Sequence, residues 1–121
     1  KELFQKYGIS VPGSELILAQ SENRSINFPF ILKSQVLSGD RMKKGGIAVV
    51  NNAGDFENLK NKIFQTKIDG NLPEKILLEE KIEFSRELYV SFSYGTDTRT
   101  PVLSVSAKGG AGIDNASIFP T

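Results

Sequence analysis

The sequence contains no cysteine and no histidine. Without cysteine there is no disulfide, no thiolate nucleophile and no cysteine-ligated zinc. Without histidine there is no Ser–His–Asp triad, no Cys–His pair and no imidazole ligand for a metal. Phosphoryl or acyl chemistry that needs such a nucleophile must draw it from another chain or another segment. No hydrophobic run reaches the length of a transmembrane helix, and the first residues do not read as a secretory signal. Charge of one sign is also lacking: 15 basic residues face 14 acidic ones, a net charge of +1. That balance gives no overall attraction to nucleic acid or to an anionic membrane. The absence of cysteine agrees with a reducing compartment.

What is present suits one modest globular domain. The 121 residues are 39% hydrophobic and 24% charged, enough for a single core with little stability to spare. The chain opens on Lys1 and closes on Thr121 directly after Pro120, and both ends read as cut from something longer.

Leu3, Phe4 and Tyr7 recur at helical spacing, with Gly8 as a C-terminal cap. Val11-Pro12-Gly13 reads as a turn, and Leu16-Ile17-Leu18-Ala19 as a strand. Ser21 suits the cap of a very short helix that must end before Phe28-Pro29. The apolar run Phe30-Ile31-Leu32 predicts a buried strand ending on Lys33. Residues 38–46 are polar, basic and glycine-containing, so they read as a loop before the strand Ile47-Ala48-Val49-Val50. Residues 51–55 lead into an amphipathic helix with Phe56, Leu59 and Ile63 on one face. Ile68-Asp69-Gly70-Asn71 is a strong turn signal. Ile76-Leu77-Leu78 predicts a strand ending at Glu79. Leu88, Val90, Phe92 and Tyr94 then alternate with Tyr89, Ser91 and Ser93, which predicts a strand with one buried face. A loop over residues 95–99 and a second alternating run over residues 102–106 complete a hairpin, followed by the glycine-rich stretch Lys108-Gly109-Gly110-Ala111-Gly112.

Three places could carry chemistry. Lys33 ends an apolar strand and precedes the basic loop Gly39-Asp40-Arg41-Met42-Lys43-Lys44-Gly45-Gly46. A lysine so placed can act as a point charge, and such a loop can fold over phosphates with its backbone N–H groups as donors. The same residues also suit a solvated hairpin tip. Glu79, Glu80, Glu83 and Glu87 suit acid–base or metal work, yet they flank a connector where charge is ordinarily solvated. Glu87 differs in opening what reads as a buried strand, where a carboxylate can accept hydrogen bonds from a ribose diol. The stretch from Lys108 lacks the strand–loop–helix context of a dinucleotide or P-loop site and reads first as a turn.

Taken together, KELFQKYGISVP, FPFILKSQVLSGDRMKKGGIAVV, QTKIDGNLPEKILLEE and RELYVSFSYGTDTRTPVLSVSAKGG resemble, in order and spacing, the β subunits of the succinyl-CoA synthetase family. Its wider membership takes in the homologous region of ATP-citrate lyase and malate–CoA ligase. The resemblance implies an α+β fold: a partial ATP-grasp fold, mainly antiparallel strands with a few short helices. A small nucleotide-covering subdomain is implied over roughly residues 14–80, and the start of a larger one over roughly residues 81–121. It implies ATP or GTP (ADP or GDP after transfer) held between the two, with Mg2+ whose ligands lie outside this chain. Lys33 falls on the family's phosphate lysine; Asp40, Arg41 and Met42 fall on the loop that covers the phosphates. Glu79 to Ile82 falls on the connector that meets the base, and Glu87 on the acid that binds ribose. No residue here is implied to be catalytic. The partners implied are the nucleotide and an α subunit carrying the CoA site and a phosphorylated histidine, with neither nucleic acid nor membrane. The setting implied is the cytoplasm, or the mitochondrial matrix in a eukaryote.

The sequence departs from the family where Gly-Gly-Arg-Gly-Lys becomes Gly39-Asp40-Arg41-Met42-Lys43. Asp40 brings negative charge to a phosphate loop, which is unfavourable unless it faces Arg41, Lys43 or a metal. Met42 replaces a glycine and restricts the backbone. Glu-Gly-Gly becomes Lys108-Gly109-Gly110. These changes leave open a non-catalytic interaction module built on the same subdomain, or another acid–CoA ligase of the superfamily. A nucleic-acid binder using Lys33, Arg41, Lys43 and Lys44 is disfavoured, because Tyr89 and Phe92 fall on opposite faces of one strand and make no stacking platform.

Overall fold

The computed structural model describes residues 1–21, 24–109 and 117–120. The chain divides into two compact units, Lys1–Ile82 and Glu83–Thr121.

The first unit begins with helix α1 (Glu2–Lys6). It closes through Gly8 N–H on the Gln5 carbonyl and Ile9 N–H on the Phe4 carbonyl, the paired bonds of a Schellman cap. Strands β1 (Ser14–Ile17), β2 (Phe30–Ser34) and β3 (Ile47–Val50), helix α2 (Ala53–Gln65) and strand β4 (Ile76–Glu80) follow. The four strands form one antiparallel sheet in the order β1-β4-β2-β3. β1 starts two residues before the predicted run. No helix follows Ser21 among the described residues: its hydroxyl instead accepts the Leu18 N–H, closing a turn. With only Ile26 and Phe28 as apolar residues there, the segment has too little periodic surface to hold a helix.

Asn52 caps α2, its side chain accepting the Asp55 N–H at 3.1 Å and donating to the Asp55 carboxylate at 2.8 Å. Phe56 and Ile63 are buried and Leu59 half-buried on the face expected. They pack on Phe30, Leu32, Val50, Ile76, Leu78 and Ile17 from the sheet. Register places Ile31, Lys33, Leu77, Glu79, Leu16, Ile47 and Val49 on the opposite face, away from this core.

The second unit is a three-stranded antiparallel sheet of β5 (Tyr89–Gly95), β6 (Thr100–Ser106) and β7 (Ser117–Pro120), in that order. The alternation on β5 is as the sequence predicts, but the burial is not. Leu88, Val90, Phe92 and Tyr94 are 56%, 57%, 75% and 64% exposed. A period of two decides which side chains share a face; burying that face takes a second layer, and among its described residues the second unit holds strands and no helix. Glu87 correspondingly precedes the strand, exposed, and does not open a buried one.

Candidate functional site

Lys33 and Glu79 sit on adjacent strands, on the sheet face that α2 leaves open. The Lys33 ammonium donates to Glu79 Oε1 at 2.7 Å, and Lys1 Nζ lies 2.5 Å from Glu79 Oε2. Lys1 also donates to the Pro12 carbonyl, which anchors it across the front of α1. Burial by itself would raise the Glu79 pKa, but the hydrogen bonds from Lys1 and Lys33 outweigh it and hold the carboxyl below its usual range. Two ammonium groups around one carboxylate leave this cluster with net positive charge, suited to drawing in an anion. Lys1 was not legible as a member, since nothing in its local sequence signals a contact with a strand far along the chain.

The basic loop starts where β2 ends and returns to the same place. Ser34 N–H bonds the Gly46 carbonyl at 2.7 Å, and Gly46 N–H bonds the Arg41 carbonyl at 2.7 Å. Gly46 is required by close approach: a Cβ there would press on the Ile68 side chain and lie 3.1 Å from the Arg41 carbonyl oxygen. Arg41 turns inward, donating from Nη1 to the Ser34 carbonyl at 2.8 Å. It therefore braces the loop against the strand. Asp40 does not face Arg41; it is exposed, and neither its side chain nor that of Lys43 has a partner among the described residues. Asp40 takes a left-handed conformation (φ 53°) that aspartate tolerates better than most residues. Met42 keeps an ordinary φ and is 64% exposed, so its side chain strains nothing. The positive φ values of this loop fall on Asp40 and Gly45, not on Met42.

A clasp ties this loop to the turn at residues 68–71. Lys44 Nζ meets Asp69 at 2.7 Å, and the Ser38 hydroxyl donates to the same carboxylate. The bond from Lys44, then that from Ser38, hold the Asp69 carboxyl below its usual range. Ser34, which no motif singled out, thus matters to the loop, and Asp69, read from the sequence only as part of a turn, ties that turn to it. Ser34 Oγ is buried with no hydrogen-bond partner among the described residues.

Where β4 ends, Glu80 N–H is taken by the Gly13 carbonyl and, one residue on, Lys81 N–H by the Pro29 carbonyl. Ile82 is 44% exposed, and its backbone groups take no hydrogen bond among the described residues. Glu87 belongs to the second unit, where its side chain lies against Gly109. Gly110, Ala111 and Gly112 lie outside the described residues. The structure brings Lys33 and Glu79 into contact and sets the loop of Asp40, Arg41 and Met42 directly after Lys33. Ile82 and Glu87 stand apart in the chain, one in each unit.

Against known families, residues 1–118 match the model of the ATP-grasp domain. The chain belongs to the ATP-grasp family. Curated relatives of this ATP-grasp chain include the "Succinate--CoA ligase [ADP-forming] subunit beta" of Methanocaldococcus jannaschii, 38% identical over 97% of this chain and 33% of that protein. Those of Pyrobaculum aerophilum and Bacteroides thetaiotaomicron carry the same name. They are 33% and 34% identical, over 94% and 97% of this chain and 31% and 32% of their own length. The ATP-grasp chain thus spans about a third of the length of these relatives. Among solved structures, Ca. Korarchaeum cryptofilum ACD1 in complex with coenzyme A superposes with a TM-score of 0.67 at 22% identity, over 99% of this chain and 56% of that one. The dinucleotide-forming acetyl-coenzyme A synthetase 1 of the same organism, in complex with coenzyme A, Ca-AMPCP and HgCl+, gives 0.63 at 23% identity, over 98% and 56%. These likenesses show the fold: mixed helix and antiparallel sheet in a partial ATP-grasp arrangement. Among the described residues no group of three or more histidine, cysteine, aspartate or glutamate side chains could hold a metal ion.

Proposed function

We propose that this chain is the nucleotide-binding part of the β subunit of an ADP-forming succinate–CoA ligase. In this reading it passes a phosphoryl group between a phosphohistidine on a partner α subunit and ADP or ATP (or the guanine pair). The partner also carries the CoA site. The reaction belongs to the tricarboxylic acid cycle, in the cytoplasm or the mitochondrial matrix. Magnesium, held by ligands outside this chain, supplies further neutralisation of phosphate charge.

The observation that carries the reading is the pairing of Lys33 with Glu79 on the open face of the sheet, with the basic loop springing from the same strand end. Phosphoryl transfer needs positioned positive charge more than covalent help from the protein. Lys33 exchanges part of its bond to Glu79 for a phosphate oxygen, and Glu79 keeps Lys1 as its partner. Arg41 holds the loop in place while its backbone N–H groups and Lys43 face the phosphates, shedding water from them. Ile82 offers free backbone groups to the base, and Glu87 accepts the ribose hydroxyls.

Calorimetric titration of the full chain with ADP and ATP plus magnesium tests this, beside Lys33→Ala. A charge-assisted hydrogen bond is worth about 1.5–3 kcal/mol, so affinity in the variant falls tenfold or more. Because Lys1 still pairs Glu79, the variant keeps its fold. Equal affinity of variant and parent overturns the role of Lys33. A full-length protein that binds no nucleotide leaves the second reading, a non-catalytic interaction module, which the unpaired carboxylate of Asp40 favours.

A further inference from the structure

The glycine stretch after β6 finds no place in the phosphate site, yet the hairpin gives it a specific neighbour. Pairing of Tyr89 with Ser106 sets the residues before β5 beside those after β6. The turn at that end is fixed by Ser106. Its hydroxyl accepts the Lys108 N–H at 3.1 Å and donates to the Lys108 carbonyl at 3.0 Å. This delivers Gly109 against Glu87. A Cβ on Gly109 would lie 2.7 Å from both Cβ and Cδ of Glu87, and would overlap Cγ. Rotation about χ1 moves Cγ and Cδ but leaves Cβ where it is, so a new rotamer of Glu87 does not relieve the overlap. Either the backbone at Glu87 or the turn would have to move.

We propose that Gly109 is a positioning residue for Glu87: its bare backbone is the bed on which the glutamate lies, and it sets the direction of the carboxylate that receives the ribose diol. This rests on the nucleotide-binding reading above. The hairpin of β5 and β6 joins Glu87-Leu88-Tyr89 to Lys108-Gly109 and so brings the two ends together. The preceding lysine is exposed and bonds only through its backbone among the described residues. The turn therefore tolerates variation at 108 and not at 109.

The test is titration of the full chain, as Gly109→Ala and as parent, with ADP, with 2′,3′-dideoxy-ADP and with inorganic tripolyphosphate. Gly109→Ala is expected to weaken ADP about tenfold, as for one lost charge-assisted hydrogen bond. It should leave tripolyphosphate and the dideoxynucleotide unchanged. In a Glu87→Ala background the same substitution should have no further effect on ADP, because the two act as a unit. A parent that binds ADP while Gly109→Ala binds it equally overturns the proposal alone. So does a loss that extends equally to the dideoxynucleotide. A parent that binds no ADP overturns the nucleotide reading and this proposal with it. If Gly109→Ala does not fold, circular dichroism of Glu87→Gly/Gly109→Ala, which removes the Glu87 Cβ as well, decides: recovery of the fold supports the contact, and continued unfolding refutes it.

Discussion

At the scale of single residues, Glu79 has the most demanding surroundings. Its side chain is 11% exposed and held by two ammonium groups. Its carboxyl is held below the ordinary range, so it contributes stability that is complete above the unfolded-state pKa and is lost as pH falls through the folded-state value. Glu79→Gln removes that contribution. Urea midpoints of parent and variant should therefore differ most near neutrality and converge in acid. A gap that stays constant down the acid limb would mean Glu79 is not the group responsible. The sequence marked Glu79 as one of several carboxylates and, by resemblance, as the start of the connector that meets the base, but not as the partner of Lys33; it did not mark Lys1 as a member of this cluster. Side-chain pairing across strands depends on register, and register is set by partners distant in the chain.

At the scale of elements, residues 38–46 are a strapped loop with three ties: the Ser34–Gly46 backbone pair, the Arg41 guanidinium and the Asp69 clasp. The loop was legible from its glycines and charges, but its closure was not. Gly46→Ala should destabilise the chain by about 1–3 kcal/mol, as overpacking at a close contact does, and speed amide exchange at Ser34 and Gly46. Unchanged exchange there would show that the strap absorbs a Cβ without opening. Helix α2 stands at the other extreme, for its cap at Asn52 and its apolar stripe were both written locally. β5 lies between. Its alternation was correct, while the cover of its apolar face could not be read from the strand itself.

At the scale of the whole molecule, stability is unevenly shared. Every buried apolar side chain among the described residues lies in Lys1–Ile82 except Val102. Among the described residues this three-stranded sheet buries one apolar side chain, which falls short of a self-sufficient core. Residues 1–82 alone are therefore expected to unfold cooperatively. Residues 83–121 alone should give the narrow amide dispersion of an unfolded chain in heteronuclear NMR. A dispersed spectrum from monomeric 83–121 would refute this division of stability. The same partition bears on activity. Under the proposed function, a chain with no histidine is expected to form no succinyl-CoA by itself, and a turnover assay that detects the product would overturn this.

The sequence by itself determined the strands β2, β3 and β4, the helix α2, the turn at Asp69-Gly70, and the hairpin of β5 and β6. Each of these follows from periodicity or turn chemistry within a few residues. Through its likeness to a family it also pointed to Lys33, the loop and Glu87. Only the tertiary structure decided that Lys33 is shared with Glu79 and Lys1, that Arg41 turns in to Ser34, and that Asp40 stands unpaired. It alone placed Gly109 beneath Glu87. Those are facts of register and close approach between segments far apart in the chain, and no local pattern of residue types encodes a distance of that kind.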